Sequence, residues 1–287
     1  MNFTAPAKIN LYLEVISRKE DGYHEIATLF ERISILDFIS IEPDAPRTNI
    51  VCDNPKIPVQ ETSLLFRTVK AFTFEYGKDI HFDIHLQKKI PIAAGLGGGS
   101  SDAACLLKGM NKVMGQPFDK EKLFDIAQKL GADIPFFLEE YSFAQAEGRG
   151  DIVREIKTSL KLWHVLLSPP FELSTKEVYA KVSHFSLTKS RGLDKMTAAF
   201  LNKKSVESIA KNCRNDLQTI ALQAFPELKA ARSELKKVGA KVVLLSGSGP
   251  TVFGIFEQRE EALSAESRLG QVFSVENGWR VYAAETY

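Results

Sequence analysis

The stretch PIAAGLGGGSSDAA, residues Pro91–Ala104, decides how the rest of the sequence is interpreted. It places four glycines within five residues and follows them with two serines and a helical pattern. A flexible linker is disfavoured, because a strand pattern precedes the glycines and a helix pattern follows them. A tight structural turn seldom needs so many glycines. The stretch therefore indicates close approach of the backbone to a ligand, with amide groups at a helix N-terminus facing a phosphate.

The loop departs from the two most familiar phosphate-binding patterns. The Walker A pattern needs a lysine and then Ser or Thr after its last glycine, whereas Ser100 follows Gly99 here. The dinucleotide pattern needs Gly or Ala where Ser100 stands, and an acidic strand end about 20 residues later, which we do not find. Taken alone, the loop predicts phosphate binding without specifying the nucleotide.

The composition narrows the class of protein. The chain has 287 residues, enough for one large or two medium domains, and its net charge of +1 provides no strong attraction for nucleic acid or an anionic membrane. Its three cysteines are far apart, which fits a reducing cytoplasm better than a disulfide framework or a zinc site. Neither a bilayer-spanning apolar run nor a secretion signal is evident. We therefore expect a cytoplasmic protein, a monomer or weak homodimer, with no nucleic-acid or membrane partner.

Hydrophobic periodicity predicts a mixture of strands and helices. Alternation at every second residue predicts strands over KINLYLEV, RISILDFISI and DIHFDIHL. Helical spacing predicts a helix after the glycines, with Ser100, Ser101 or Asp102 near its N-cap. The two types of pattern alternate irregularly, so the fold class is α+β. A boundary near residue 150 is predicted, dividing the chain into domains 1–150 and 151–287.

Several polar residues are candidates for chemistry. Phosphoryl transfer to an alcohol needs a carboxylate to take the hydroxyl proton and a cation to offset charge. Asp133 in LGADIPFF and Lys8 on the first strand are candidates, although a cap or turn residue and a solvated strand face are the structural alternatives. The loop SGSGPT, residues Ser246–Thr251, is a second glycine loop that a hairpin turn would also explain. No His, Cys and Asp grouping has metal-ligand spacing, so any metal ligands are unknown.

A resemblance to a known family adds to these observations. Six segments occur in order from Pro6 to Phe256: PAKINLYL, DGYHEI, PIAAGLGGGSSDAA, LGADIPFFL, NDLQ and SGSGPTVFGIF. Together they resemble the GHMP small-molecule kinases. AKINL followed by DGYH narrows the resemblance to the members that phosphorylate a cytidine-diphosphate-linked methylerythritol.

The resemblance implies a reaction, a fold and site residues. Members transfer the γ-phosphate of ATP, with Mg²⁺, to the 2-hydroxyl of the cytidine-linked alcohol, a step of the non-mevalonate route to isoprenoid precursors. The fold has two lobes, with the active site in the cleft between the lobes. Asp133 matches the general base and Lys8 the cation beside it. The phosphate loop matches Gly95, Leu96, Gly97, Gly98, Gly99, Ser100 and Ser101. The substrate-binding positions match Asn10, Tyr23, His24, Tyr179 and Gly249.

Two departures from the family pattern concern residues near the adenine and cytosine rings, not residues near the transferred phosphate. The resemblance places Ser63, Leu64 and Lys88 near the adenine, yet the family more often has Asn at position 63. Tyr179 stands where Phe is frequent, which keeps the stacking surface and adds a hydroxyl.

Two alternative functions remain open at this point. One is another GHMP kinase, of the homoserine or mevalonate type, which would lack the cytidine platform of Tyr23 and His24. The other is an RNA-binding or nucleotide-binding module, which the near-zero net charge disfavours.

Overall fold

A computed structural model describes residues 1–20, 22–182, 192–202 and 205–287. Asp21, the first residue of the DGYHE turn, lies outside the described residues. The chain forms two compact units, each assembled from separate stretches. Unit 1 comprises Met1–Ala7, Ile35–Ile92 and Gly97–Glu140, and unit 2 comprises Lys8–Ser34, Ala93–Leu96 and Tyr141–Tyr287. These units are not consecutive stretches of the chain, so they do not test the predicted division into domains 1–150 and 151–287. The boundary near residue 150 stays a prediction.

Helices and strands alternate irregularly along the chain, which confirms the α+β prediction. The strands are β1 (Asn2–Arg18), β2 (His24–Pro43), β3 (Asn49–Cys52), β4 (Phe82–Gln87), β5 (Phe143–Glu147), β6 (Ile152–Glu155), β7 (Trp163–Ser168), β8 (Arg214–Asn215), β9 (Val242–Leu245), β10 (Val252–Phe256) and β11 (Arg280–Glu285). The helices are α1 (Leu64–Tyr76), α2 (Gly98–Val113), α3 (Lys120–Leu130), α4 (Ile134–Leu138), α5 (Thr175–Ala180), α6 (Gly192–Leu201), α7 (Val206–Ala210), α8 (Gln218–Ala224), α9 (Pro226–Lys237) and α10 (Arg259–Val272). Within the described ranges, no helix is both long and apolar enough to cross a membrane.

Unit 1 is organised around helix α2. The second half of β2 pairs antiparallel with β4, and β4 pairs parallel with β3. Helices α1, α3 and α4 pack on or beside α2. Most residues of α2 are buried, including the consecutive run from Ser101 to Leu107. The helix that follows the glycines is therefore held by the core of unit 1 along most of its length.

Unit 2 contains a four-stranded antiparallel sheet in the order β11-β7-β10-β9. Helices α9 and α10 pack against this sheet, and their buried leucines belong to its hydrophobic core. Strands β9 and β10 form a hairpin, with Val252 opposite Leu245, and the loop SGSGPT connects them. The hairpin interpretation of the second glycine loop is therefore confirmed.

Helix caps show how local chemistry sets the element boundaries. Asp119 caps α3 by accepting a hydrogen bond from the Lys122 amide at 2.9 Å, as its place before the helix predicts. The predicted N-cap of α2 is wrong, because α2 begins at Gly98 and Gly97 occupies the N-cap position. Gly97 has φ 69°, a left-handed conformation that only glycine adopts at little cost, so the glycines themselves form the start of the helix.

The structure also corrects the expectation that the polar face of β1 is solvated. Alternation left open a solvated face for Lys8 and Asn10, but these side chains are 4% and 1% exposed. The apolar residues between them, such as Ile9, are also buried, so β1 is covered on both faces. Burial of polar groups requires hydrogen-bond partners, and the residues that provide them belong to the candidate site.

Close packing of α2 in unit 1 generates a stability prediction. A Cβ at Gly109 would collide with Ile41 Cδ1 and lie 3.1 Å from the Phe3 ring, so Gly109→Val should lower the free energy of unfolding by about 2 kcal/mol. Gly270 in α10 is exposed, and its Cβ would meet no atom within 4 Å. Gly270→Val is the matched control and should change the free energy of unfolding by less than about 0.5 kcal/mol. Equal effects in urea unfolding would contradict the packing argument.

Candidate active site

The start of α2 presents backbone donors without intrahelical acceptors. The first intrahelical hydrogen bond runs from the Ser101 amide to the Gly97 carbonyl, at 2.9 Å. The amides of Gly98, Gly99 and Ser100 precede it, and a helix offers such amides no acceptor of its own. No side chain caps this helix end. The partial positive charge of the helix dipole falls at the same place, so the geometry suits an anionic phosphate.

The preceding glycine, Gly95, lies in unit 2 against the second glycine loop. A Cβ at Gly95 would collide with the Ser246 carbonyl oxygen, so this position admits only glycine, which also tolerates its φ of 76°. The Ser246 hydroxyl donates to the Gly95 carbonyl at 2.9 Å, and the Thr251 amide donates to the Ala94 carbonyl at 3.2 Å. The two glycine loops that the sequence singled out are therefore in direct contact.

Lys8 and Asn10 adjoin the same pair of loops in unit 2. The Lys8 amide donates to the Leu96 carbonyl at 2.9 Å, and the Lys8 ammonium donates to Asn10 Oδ1 at 2.7 Å. A Cβ at Gly247 would lie 3.3 Å from Asn10 Oδ1 and 3.6 Å from Lys8 Nζ. The structure thus brings together Lys8, Asn10, the first glycine loop at Leu96 and the second at Gly247.

The amide of Asn10 continues this buried polar chain. Asn10 Nδ2 donates to Thr28 Oγ1 at 2.9 Å, and the Thr28 hydroxyl donates to the Tyr12 carbonyl at 2.6 Å. Because each polar atom of this chain has a partner, the strand can bury Lys8 and Asn10 at an acceptable cost. Thr28 could not be identified from the sequence, because it lies in an ordinary strand pattern and has no local signal of this contact.

The predicted cytidine-binding residues form an aromatic group in unit 2. The rings of His24 and Tyr179 lie 5.2 Å apart at 40°, although they come from β2 and α5. The neighbouring Tyr23 is 58% exposed, and the Arg149 guanidinium lies 5.3 Å from its ring centroid. Partial burial, and then the charge of Arg18, lower the pKa of His24, so the imidazole is neutral at neutral pH. Arg149 was missed, because nothing local in the segment EGRGD indicates a contact with Tyr23.

Gly249 lies in the second glycine loop, close to the element that carries Tyr179. It has φ 86°, and a Cβ there would lie 2.8 Å from Leu245 Cδ1, so glycine is required. The neighbouring Ser248 hydroxyl is 2.9 Å from the Thr175 hydroxyl in the first turn of α5. The second glycine loop is thus connected to the helix of Tyr179.

Asp133 precedes the short helix α4 in unit 1. It occupies the N-cap position with φ −82° and ψ −12°, and its carboxylate accepts no capping hydrogen bond from α4. The side chain therefore does not cap α4, although the residue does lie in the turn that precedes the helix, as the other structural alternative predicts. Its role as a general base stays a prediction.

The three residues predicted near the adenine all belong to unit 1. Ser63 is the N-cap of α1, and its hydroxyl accepts a hydrogen bond from the Phe66 amide at 3.3 Å. Leu64 is the first residue of α1. Lys88 is buried, and its ammonium donates to Asp37 and, at 2.6 Å, to Asp102 Oδ2. Proximity to adenine stays a prediction for all three.

The ion cluster around Lys88 holds one ammonium and two carboxylates. The side chains of Lys88, Asp37 and Asp102 are 2%, 0% and 3% exposed. Burial raises the pKa of Asp102 to about 8, and the charge of Lys88 opposes this effect only in part. Burial also disfavours the charge of Lys88, but the two carboxylates raise the pKa of its ammonium. At neutral pH the cluster therefore retains a proton that an exposed carboxylate would have lost.

The sequence alone identified no metal ligands. Among the residues that the structure describes, no group of three or more His, Cys, Asp or Glu side chains could hold a metal ion. The buried acidic side chains of Asp37 and Asp102 are already both engaged with the Lys88 ammonium.

Comparison with known proteins gives consistent matches along the chain. The family model for the GHMP kinases N terminal domain matches residues 63–140, and the model for the GHMP kinases C terminal matches residues 197–275. A 4-diphosphocytidyl-2-C-methyl-D-erythritol kinase of Syntrophotalea carbinolica is 36% identical over 99% of this chain and 98% of its own. The enzyme of the same name from Syntrophus aciditrophicus is 39% identical over 94% of this chain and 95% of its own.

Solved structures give the same result. A crystal structure of 4-(cytidine 5'-diphospho)-2C-methyl-D-erythritol kinase has a TM-score of 0.82 and 32% identity, and the match covers 99% of this chain and 98% of the other. Homoserine kinase from Cytophaga hutchinsonii has a TM-score of 0.77 at 17% identity, over 98% of this chain and 94% of its own. The second similarity concerns the fold alone.

The raised pKa of Asp102 generates a pH prediction. Between its usual value of 3.8 and about 8, the folded protein holds a proton that the unfolded chain releases. In that window each rise of one pH unit should therefore lower the free energy of unfolding, by at most about 1.4 kcal/mol from this group. Asp102→Asn lacks the proton, so its urea stability should depend less on pH between pH 6 and 8. Parallel pH dependences of the wild type and the variant would contradict the prediction.

Proposed function

The chain belongs to the 4-diphosphocytidyl-2-C-methyl-D-erythritol kinase family of GHMP kinases, and we propose on that premise how its residues carry out the reaction. The protein transfers the γ-phosphate of ATP to the 2-hydroxyl of 4-diphosphocytidyl-2-C-methyl-D-erythritol, in the non-mevalonate route to isoprenoid precursors. The observation that carries the assignment of roles is the start of α2, where the amides of Gly98, Gly99 and Ser100 have no acceptor within the helix.

The ATP half of the site is the glycine loop. We assign binding of the phosphates to the segment Gly95–Ser101, whose amides and helix dipole favour negative charge. Ser63, Leu64 and Lys88 are assigned to the neighbourhood of the adenine. The hydroxyl of Ser63 already caps α1, so its proximity to the base does not require a direct hydrogen bond to the purine.

The substrate half rests on the aromatic group of unit 2. We assign Tyr23, His24 and Tyr179 to the cytosine, because stacking of a base on an aromatic ring contributes about 1–3 kcal/mol and tolerates an added hydroxyl. His24 is neutral at neutral pH and can therefore both donate and accept a hydrogen bond. Asn10 and Gly249 are assigned to the alcohol end of the substrate. Asn10 is hydrogen-bonded to Lys8, and Gly249 belongs to the second glycine loop.

Two charged residues are assigned to the transfer itself. Asp133 orients the 2-hydroxyl and accepts its proton, as a general base does. Lys8 offsets the negative charge that builds up on the transferring group, and its hydrogen bond to Asn10 keeps the ammonium in place. Positioning and electrostatics suffice for this reaction, so no covalent enzyme intermediate is needed.

We propose that Mg²⁺ arrives with the nucleotide. Because the described residues offer no acidic metal cluster, oxygen atoms of the ATP phosphates and water would provide most of its ligands. When bound, the ion neutralises charge on the phosphates, in addition to what the loop amides do.

We also propose a domain boundary, a cellular location and an oligomeric state. The boundary near residue 150 fits the two family matches, which end at residue 140 and begin at residue 197. A cytoplasmic location and a monomeric or weakly dimeric state rest on the sequence alone.

A phosphate-transfer assay tests substrate choice. We expect the purified protein to phosphorylate the cytidine-linked alcohol with ATP and to leave homoserine and mevalonate unchanged, because neither carries a base for the aromatic group. Phosphorylation of one of those alcohols instead would favour the other GHMP kinase alternative. RNA binding without phosphorylation of any alcohol would favour a binding module.

The base assignment generates a kinetic prediction. Asp133→Asn removes the proton acceptor but keeps the size of the side chain, so kcat should fall by at least about 10²-fold. ATP binding, measured by calorimetry, should be largely retained, because the loop amides are untouched. Near-normal turnover of the variant would remove Asp133 from the base role.

A further inference from the structure

The backbone segment that enters the glycine loop is held by two carboxylates, the buried Asp37 and the exposed Asp53. Asp37 Oδ1 accepts hydrogen bonds from the amides of Lys89, at 2.5 Å, and Ile90, at 2.8 Å. The amide of Lys88 donates to Asp53 Oδ1 at 2.8 Å. These three amides directly precede Pro91, where the loop begins. Carboxylates from two other parts of the chain therefore fix the entry to the loop.

The segment that leaves the loop is tied to the same cluster. Asp102 is the fifth residue of α2, and its Oδ2 accepts from the Lys88 ammonium at 2.6 Å. The first residue of the helix, Gly98, also packs on the entry segment, because a Cβ there would lie 3.0 Å from both Lys88 Nζ and Ile90 Cγ2. One ammonium therefore connects the residues before the glycines to the residues after them.

The energetics indicate that this ion cluster fixes the relative positions of the segments and adds little to the stability of the protein. A cluster of two acidic side chains and one ammonium, each nearly fully buried, has a desolvation penalty that its attraction barely offsets, and apolar residues of similar size are often at least as stabilising. Charged hydrogen bonds are, however, short and directional, so they fix relative positions better than apolar contacts do.

We propose that Asp37, Lys88 and Asp102 form an ionic clamp that sets the position of the α2 amides for the ATP phosphates. They are positioning residues, and Lys88 acts through the loop rather than by contact between its ammonium and the nucleotide. The proposal rests on the proposed function in treating the glycine loop as the phosphate site. Fixed donors matter because a shift of about 1 Å at a reacting centre can cost about 10²-fold in rate.

Kinetics with each substrate varied separately test the clamp. In Lys88→Met the side chains of Asp37 and Asp102 lose their common partner, so the KM for ATP should rise at least about tenfold while the KM for the cytidine-linked alcohol changes less than about twofold. Calorimetric binding of ATP to the same variant should weaken by a similar factor. A variant that is only less stable would lose active protein without changing either KM.

A second pair of variants keeps the test valid if Lys88→Met fails to fold. Asp102→Ala removes the tie on the α2 side, whereas Asp102→Asn keeps a side-chain oxygen that can accept from Lys88. The KM for ATP should rise in Asp102→Ala and return most of the way to the wild-type value in Asp102→Asn. Equal values of this KM in the two variants would overturn the clamp.

Asn111→Ala is the matched control, because it disturbs the opposite end of α2. Asn111 is buried, its Nδ2 donates to the Phe118 carbonyl, and its Oδ1 accepts from the Phe118 amide, both at 3.0 Å. This variant should lower the thermal unfolding temperature and leave the KM for ATP unchanged. An equal rise of that KM in the control would mean that any damage to α2 has the effect, which would overturn the proposal.

The clamp and the proposed function fail in different ways. If the wild-type protein neither binds ATP nor phosphorylates the alcohol, the proposed function fails, and the clamp fails with it. If the wild type does both, but the clamp variants change both KM values equally or neither of them, only the clamp fails.

Discussion

The proposed phosphate site depends on backbone amides that the start of α2 leaves without an intrahelical partner. Such donors are useful only if no side chain caps them and the chain can turn sharply in front of them. Gly97 meets both conditions, with a left-handed φ and no side chain. The core of unit 1 then holds the rest of α2 in place. A cluster of glycines is thus combined with a firmly packed helix, and flexibility of the loop is not required.

A similar principle applies to the buried polar face of β1. Lys8 and Asn10 are nearly inaccessible to solvent, yet they belong to a chain of hydrogen bonds that ends on the Tyr12 carbonyl through Thr28. In a low-dielectric environment these bonds are stronger than in water, and an unpaired member would be costly. The strand therefore holds a cation at a defined place, and a solvated strand face could not do so with the same accuracy.

The sequence predicted the elements whose signals are local. Periodicity predicted the strands β1, β2 and β4 and the helix α2, the second glycine loop suggested the β9–β10 hairpin, and the order of six motifs identified the family. The start of α2 was misplaced, because serines are ordinarily better caps than glycine. The contacts of Thr28, Arg149 and Asp37 could not be predicted, since each joins residues that are far apart in the chain or depends on a ring or charge that only folding brings near.

The collision of any side chain at Gly95 with the Ser246 carbonyl has a consequence for inhibitor design. An enzyme escapes an inhibitor most easily by exchanging a side chain that the compound touches. At Gly95 no exchange is open to the chain, because the left-handed backbone and the adjoining loop both exclude a Cβ. A compound that contacts the peptide groups on either side of Gly95 would therefore bind a surface that point mutation cannot remodel without separating the two glycine loops.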